Sequence, residues 1–414
     1  MGMNKAWGMV PVIFSIAASA QQDSTGPVLA TRHRLTIEAV AGYDSNVLYN
    51  DLVTALYRGG VINQDVRTRS LDRMGGMNRG GFLLGGRVAY AWGDSLFGRA
   101  NWMPRISLAY NSAMGIRFAK DAYSLAFFGN AGFEGSTAHL APGSLYWSNY
   151  QTLGFGVEDR RSGTFVELSV VNGQKLNSAH ISKAEFYTAV DGRYLDLQLN
   201  GDMHQSDTTG KEFSSGLGAA VNLEWHKEFR LLGPGAEFVL GITDLGFIAW
   251  NNKSLSIKKD SALHYEGVEV KDILDLENLV VNPSVIRDTL GLGSSHGGFI
   301  TLLPVIVEGR LHFGALGKPS PIPGLRAYEL TVNQRNLPGY VPYVAATRNL
   351  VVSTWCAVAV GAAYGGFGGL RATLGIQAEV LDRLRLGFFT PNAWGLVSNQ
   401  TQGKALSANL ELSW

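Results

Sequence analysis

Lys404–Trp414 reads KALSANLELSW. Leu406, Ala408, Leu410 and Leu412 fall on one parity, and Ser407, Asn409, Glu411 and Ser413 fall on the other. Side chains of an extended strand alternate between its two faces, so this stretch has one apolar and one polar face. It ends on an aromatic residue. This is the pattern of a stave in a membrane-spanning barrel, where the outer face meets lipid and the inner face meets a polar lumen. Leu406, Leu410, Leu412 and Trp414 then read as a barrel-assembly signal.

The same alternation recurs upstream. In LRATLGIQAEV (370–380), Leu370, Ala372, Leu374, Ile376, Ala378 and Val380 oppose Arg371, Thr373, Gln377 and Glu379. RLRLGF (383–388) sets Leu384, Leu386 and Phe388 against Arg383 and Arg385, and Asp382–Arg383 leaves room for a tight turn only. YLDLQLNGD (194–202) sets Leu195, Leu197 and Leu199 against Asp196, Gln198 and Asn200, and RLTIEAVAGY (34–43) follows the same rule. Less regular strands are expected at 82–92, 104–112, 122–128, 145–157, 163–171, 183–191, 214–227, 235–243, 299–315, 325–333 and 350–364. Roughly 22 residues per strand and connection gives about 14 to 16 strands. The expected fold is an all-β, transmembrane antiparallel barrel of about 14 strands spanning 33–414.

Composition agrees. Only 17% of the 414 residues are charged, against 46% hydrophobic, and there are 51 glycines. Soluble domains carry about 25% charged residues and ~7% Gly. A formal net charge of +1 gives no electrostatic case for a nucleic-acid partner. MGMNKAWGMVPVIFSIAASAQQ has Lys5, an apolar run over 6–18, and Ala18 and Ala20 in an A-x-A arrangement. It reads as a Sec-type signal peptide, residues 1–20, cut near Ala20. The expected location is the outer membrane of a Gram-negative bacterium. The expected contacts are outer-membrane lipid, the barrel-assembly machinery during insertion, and an envelope protein as a possible partner.

Two segments break the alternation, and both read as short helical insertions. In residues 45–81, Leu48, Leu52, Ala55 and Leu56 follow helical spacing and Gly59–Gly60 supply a stop. In 266–298, Asn282 can cap, Pro283 fits the first turn, and Gly291 fits just past the end. Counting strands back from Trp414 puts the second insertion at the same end of the barrel as Trp414.

NDLVTALYRGGVINQDVRTRSLDRMGGMNRGG, GFIAWNN (246–252) and TLLPVIVEGRLHFG, with the closing strands, resemble an uncharacterised family of outer-membrane barrels. That family is distantly similar to the long-chain fatty-acid transporter (FadL-like) and PorV-like barrels. The resemblance implies fold and location and brings no catalytic residue. The fatty-acid transporters place a hatch at their N-terminus, whereas this chain opens with a strand-like run at 33–43.

The inward parity gives Arg371, Gln377, Glu379, Arg383, Arg385, Asp196, Gln198 and Glu411 as candidate lumen-lining residues. The expected task is passive uptake of hydrophobic or small solutes. The alternatives are a plugged barrel acting as scaffold or subunit of an envelope complex and, more remotely, an outer-membrane lipid hydrolase. No enzyme activity is expected from motifs. GSSHG (293–297) matches G-x-S-x-G, but a nucleophile elbow needs strand, turn, then helix, and here the order is reversed. The histidines show no metal-ligand spacing, so neither metal nor cofactor is expected. The single Cys356 reads as a small buried hydrophobe. A catalytic Ser and His on neighbouring strands would escape any motif search.

If Trp414 anchors the barrel at the membrane interface, Trp414→Asp reduces assembly. Heat-modifiable migration on gels and the abundance of the protein in outer-membrane fractions check this, and both fall in the variant.

Overall fold

The computed structural model describes residues 33–414 except 60, 94, 97, 99–100, 191, 208–212, 230–235, 267–293, 314–326 and 381–382. The signal-peptide reading over 1–20 and most of the 266–298 insertion lie outside the described residues.

Fourteen antiparallel strands close a barrel. They are β1 (His33–Ser45), β2 (Asn78–Trp92), β3 (Trp102–Phe118), β5 (Gly143–Asp159), β6 (Phe165–Thr188), β8 (Gly216–Glu228) and β9 (Glu237–Trp250). The ring continues with β13 (Ile306–Phe313), β14 (Tyr328–Arg335), β15 (Val341–Val351), β16 (Cys356–Gly366), β17 (Arg371–Val380), β18 (Leu384–Thr390) and β19 (Lys404–Ser413). The β1–β19 ladder, Arg34↔Ser413 to Tyr43↔Lys404, shuts the ring, which leaves no open edge in the hydrocarbon layer.

Five further strands are β4 (Ser136–His139), β7 (Tyr194–Gln205), β10 (Leu255–Glu266), β11 (Ser294–His296) and β12 (Ile300–Leu302). β6 explains most of them. Its first half, Phe165–Gly173, pairs with β8, and its second half, Asn177–Thr188, pairs with β7 beyond the ring. β10 adds to β7 and β11 to β10, so one side of the wall rises past the barrel as an extension, at the end opposite Trp414.

The two faces invert the usual soluble pattern. Leu108, Leu153, Leu168, Val332, Val344 and Ile376 are exposed on the outside, while Arg105, Glu158, Glu167, Asn222, Arg310 and Thr331 are buried inside. An apolar exterior around a polar interior is stable only in lipid. Trp414 stacks on His33 with ring centroids 5.3 Å apart, beside Tyr90 and Trp92. Phe313 and Tyr328 stack at the same end at 5.4 Å, and together these rings form an interfacial girdle.

The β1–β2 connection carries α1 (Asn50–Arg58) and α2 (Gln64–Asp72), and the β3–β4 connection carries α3 (Lys120–Phe128). Val47, Leu52, Met74 and Tyr123 bury against one another, so the three helices form one cap at the end opposite Trp414. Asn50 ties this cap to the β18–β19 connection, donating from Nδ2 to the carbonyls of Gly395 (3.2 Å) and Ser398 (2.9 Å).

Several sequence expectations need correction. Residues 122–128 are helical, because a seven-residue, largely apolar run fits helix or strand equally and Gly129, at φ 77°, ends it. The strands expected at 163–171 and 183–191 are one 24-residue strand, β6, with its register shifting where Tyr150 pairs with Gly173 and Asn149 with Lys175. The strand expected at 350–364 is two, β15 and β16, joined at Val352–Trp355, where Val352 and Ser353 both bond the Cys356 carbonyl. Missing β15 reversed every direction counted upstream of it. Glu266 and Ser294, which flank the second insertion, accordingly stand at the end opposite Trp414. Cys356 is half-buried at the start of β16.

Leu374 is 40% exposed on the outer face, while Gln377 on the same strand lines an internal cavity. Leu374→Arg therefore costs about 2–4 kcal/mol of barrel stability and Gln377→Arg far less. Urea titrations of both variants in lipid vesicles measure the difference.

Candidate functional site

The lumen is filled by charged side chains that pair across strands. Arg34 on β1 and Arg105 on β3 both bond Glu158 on β5, the latter at 2.5 Å. Arg105 and Arg87 on β2 hold Glu167 on β6 at 3.5 and 3.3 Å. Asn222 on β8 donates to Glu167 (3.0 Å) and accepts from the Asp244 backbone N–H (2.8 Å). The Asp244 carboxylate accepts from Tyr150 (2.7 Å) and Asn111 (3.3 Å). A second group joins Glu224, His226, Glu237, Arg310 and Glu308 on β8, β9 and β13. Buried charges persist only when paired in this way, because an isolated one carries a large desolvation cost.

The candidate lumen residues separate by where the strands place them. Glu379, Arg385 and Glu411 do project inward: Arg385 lies 3.7 Å from Glu379 and 3.9 Å from Glu411, and Glu411 also faces Arg34 at 3.9 Å. Gln377 lines a cavity of about 40 Å³ with Glu329, Thr331, Tyr343 and Asn409, which has room for only a few waters. Arg371 stands at the rim, paired with Asp44 at 2.7 Å. Arg383 is exposed in the β17–β18 connection, outside the lumen, because β18 begins only at Leu384. Asp196 and Gln198 keep the inward parity but lie on β7, above the ring; Asp196 meets His264 there, and Gln198 accepts from Lys183 at 2.8 Å.

Two connections fold into the barrel mouth opposite Trp414. Leu337, between β14 and β15, and Phe367, between β16 and β17, pack on Ala113 and Leu83. Gly81 and Gly115 permit this approach: a Cβ on Gly81 would run into the Phe367 ring, and one on Gly115 would lie 2.6 Å from the Pro338 carbonyl oxygen. Arg79 clasps the second connection through the carbonyls of Phe367 (3.1 Å) and Gly368 (2.7 Å). Beside it Tyr150, Val171, Leu176, Ile248, Trp250 and Leu303 form a buried apolar cluster.

The wall next to this cluster is irregular in three adjacent strands. β8 shifts register between Val221 and Leu223, Asp244 in β9 has φ 58°, and the ladder to β9 is interrupted between Leu302 and Ile306. Pro304 occupies the interruption and has no N–H to give to a ladder. A non-glycine residue at positive φ is uncommon, though Asp is among those that tolerate it.

On the extension, two cross-strand rows face the barrel axis. One is Ser144–His180–Asp202–Lys258, and the other is Tyr146–Ser178–His204–Ser256–Ser295. Ser256 Oγ lies 3.0 Å from His204 Nδ1, and His204 Nε2 lies 3.5 Å from Asp202 Oδ2. Ser144 Oγ lies 3.0 Å from His180 Nδ1. Ser295 of GSSHG sits in β11, where its Oγ is 3.4 Å from the Ser256 carbonyl oxygen. Sequence spacing carried no sign of these rows, since Ser256 and His204 are 52 residues apart.

No protein-family model and no curated protein matches the chain. Among solved structures, the chain is similar to the transport unit of the autotransporter AIDA-I from Escherichia coli, at 9% identity and TM-score 0.25, over 92% of this chain and 90% of that one. It is also similar to the translocator domain of the autotransporter NalP from Neisseria meningitidis (9%, TM-score 0.26, 95% and 91%) and to the toluene transporter TbuX from Ralstonia pickettii (9%, TM-score 0.23, 93% and 90%). These scores are too low to inform the task of this chain, and its barrel rests on its own strand pairing.

Removing one member of the lumen network strands its partners. Glu167→Ala leaves Arg87 and Arg105 under-compensated and destabilises the barrel by about 3–5 kcal/mol. Replacing Glu167 and Arg105 together by apolar residues costs less than the single change. Denaturant midpoints of the two variants in lipid test the comparison.

Proposed function

We propose that the chain is an outer-membrane barrel of a Gram-negative bacterium that takes up small hydrophobic solutes through its wall and has no standing water-filled pore. The observation that carries this reading is the irregular seam at Asn222, Asp244 and Leu303–Val305, which lies directly on the buried apolar cluster. Outside the seam Leu217, Phe247, Ile300 and Leu302 are exposed, so apolar surface continues from the lipid side to the wall. A hydrophobic solute crossing here needs Leu303 to move and breaks few ladder bonds. A water-soluble solute would have to displace the paired charges of the lumen, which is far more costly. Leu406, Leu410, Leu412 and Trp414 would engage the barrel-assembly machinery during insertion.

A second reading is a plugged barrel that serves as scaffold or partner subunit of an envelope complex. The connections folded into the mouth favour it, because Leu337 and Phe367 rest on glycines with no gap between them.

Planar-bilayer conductance with solute uptake into vesicles separates the readings. The uptake reading requires no ohmic steps, exclusion of sugars, and entry of a small aromatic hydrocarbon that falls several-fold in Leu303→Trp. Sustained conductance would overturn it in favour of an aqueous pore. Absence of both activities in a correctly folded barrel would leave the scaffold.

A further inference from the structure

We propose that Ser256, His204 and Asp202 form a hydrolytic site for carboxylic esters of apolar acyl groups, on the axis-facing wall of the extension. This rests on side-chain geometry and is independent of the uptake reading. β7 and β10 pair so that His204 and Ser256 are directly opposite, and Asp202, two residues from His204, shares its face. Ser256 Oγ lies 3.0 Å from His204 Nδ1, and His204 Nε2 lies 3.5 Å from the Asp202 carboxylate; in the tautomer with its proton on Nε2, the ring accepts from the Ser256 hydroxyl. That is the order of nucleophile, base and orienting carboxylate that activates a serine.

Access and surroundings agree with the assignment. The side chains of His204 and Asp202 are 29% and 40% exposed, so a substrate can reach them. A half-exposed hydrogen bond between Ser and His adds little to stability, and the fold does not need this pair. Phe299 packs against the His204 ring with centroids 4.9 Å apart and also against the apolar cluster of Tyr150, Trp250 and Leu303. An acyl chain laid on Phe299 brings its carbonyl carbon to Ser256. Lys258 stands opposite Asp202 on the strand and face of Ser256, where its ammonium can stabilise the oxyanion.

In the reaction Ser256 Oγ attacks the ester carbonyl carbon while its proton passes to His204 Nδ1. The tetrahedral intermediate collapses with cleavage of the bond to the alkoxide, which leaves as the alcohol by taking that proton. Water then attacks the acyl-serine, gives its proton to His204, and the carboxylic acid departs as Ser256 regains a proton. The net change is ester plus water to acid plus alcohol, with no redox step. Asp202 touches no reacting atom and is a positioning residue. The other titratable groups around the ring are Lys258 on β10 and His180 on β6, both in the row of Asp202, and Tyr146 on β5, in the row of His204 itself.

The test uses the full-length folded barrel in lipid, with p-nitrophenyl butyrate and palmitate as substrates and a fluorophosphonate as an active-serine probe. Ser256→Ala and His204→Ala each lose at least ~10²-fold in kcat/KM, and the probe labels Ser256 in the wild type. Ser182→Ala, on the extension but bonded to Asn200, leaves the rate unchanged. Asp202→Asn lowers kcat about tenfold with KM unchanged, and Asp202→Glu restores it, a split that a merely structural role would not produce. A folded wild type that is no faster than Ser256→Ala and carries no label on Ser256 overturns the proposal. So does a loss of activity in Ser144→Ala equal to that in Ser256→Ala.

Discussion

A backbone amide in hydrocarbon has no water to bond with, and this constraint shapes the whole molecule. Every strand that crosses the lipid must have a partner on both sides, so the ring has to close, and it closes between β1 and β19 through ten consecutive residue pairs. Closure fixes which parity faces out. Once Ile37 pairs with Leu410 and Leu35 with Leu412, the apolar sides of both strands share the lipid face, and Thr36 and Glu411 are committed to the interior. An interior committed to polar side chains in a narrow ring has two outcomes, water or mutual pairing. Here pairing prevails: Glu158 and Glu167 are each 1% exposed and each is held by two arginines.

The same constraint relaxes above the membrane, and the fold changes character there. β6 runs on past its β8 partner and pairs with β7 instead, which it can do because an exposed ladder edge in water costs little. The chain descends in β8 and returns in β9 before β10 joins β7. Residues far apart in sequence are thereby set side by side on a wall that no longer has to be apolar outside and sealed inside. The polar rows of the extension are a product of that freedom.

How much of this was legible in the sequence follows from which rule governed each segment. KALSANLELSW and LRATLGIQAEV could be read because two-faced burial imposes a strict period of two, and the inward projection of Glu379, Arg385 and Glu411 came with it. The fusion of 350–364 escaped because VSTW at 352–355 has no Gly, Pro or Asn to mark a turn and the apolar pattern runs through it. Residues 122–128 escaped because helix and strand both tolerate a short apolar run. Asp196 and Gln198 had the right parity and the wrong storey: alternation reports a face, and only the ladder partner reports height. The Ser256–His204 pair was invisible for a related reason, since register between β7 and β10 is set by the long detour between them.

The barrel thus combines two kinds of polar side chain with opposite energetic roles. In the lumen Glu158 and Glu167 are each held by two arginines, and Asp244 by Tyr150 and Asn111; these residues tie the walls together across strands. On the extension Ser256, His204 and Asp202 are partly exposed and bonded to one another, within reach of solvent. Reactivity needs such access, and the lumen network excludes it. The irregular seam at Asp244 lies between the two regions, where the apolar cluster touches the lumen network through Tyr150 and the extension through Phe299. A displacement of Leu303 would therefore be felt at both ends of that cluster, by the Tyr150–Asp244 bond below and by the ring that orients His204 above.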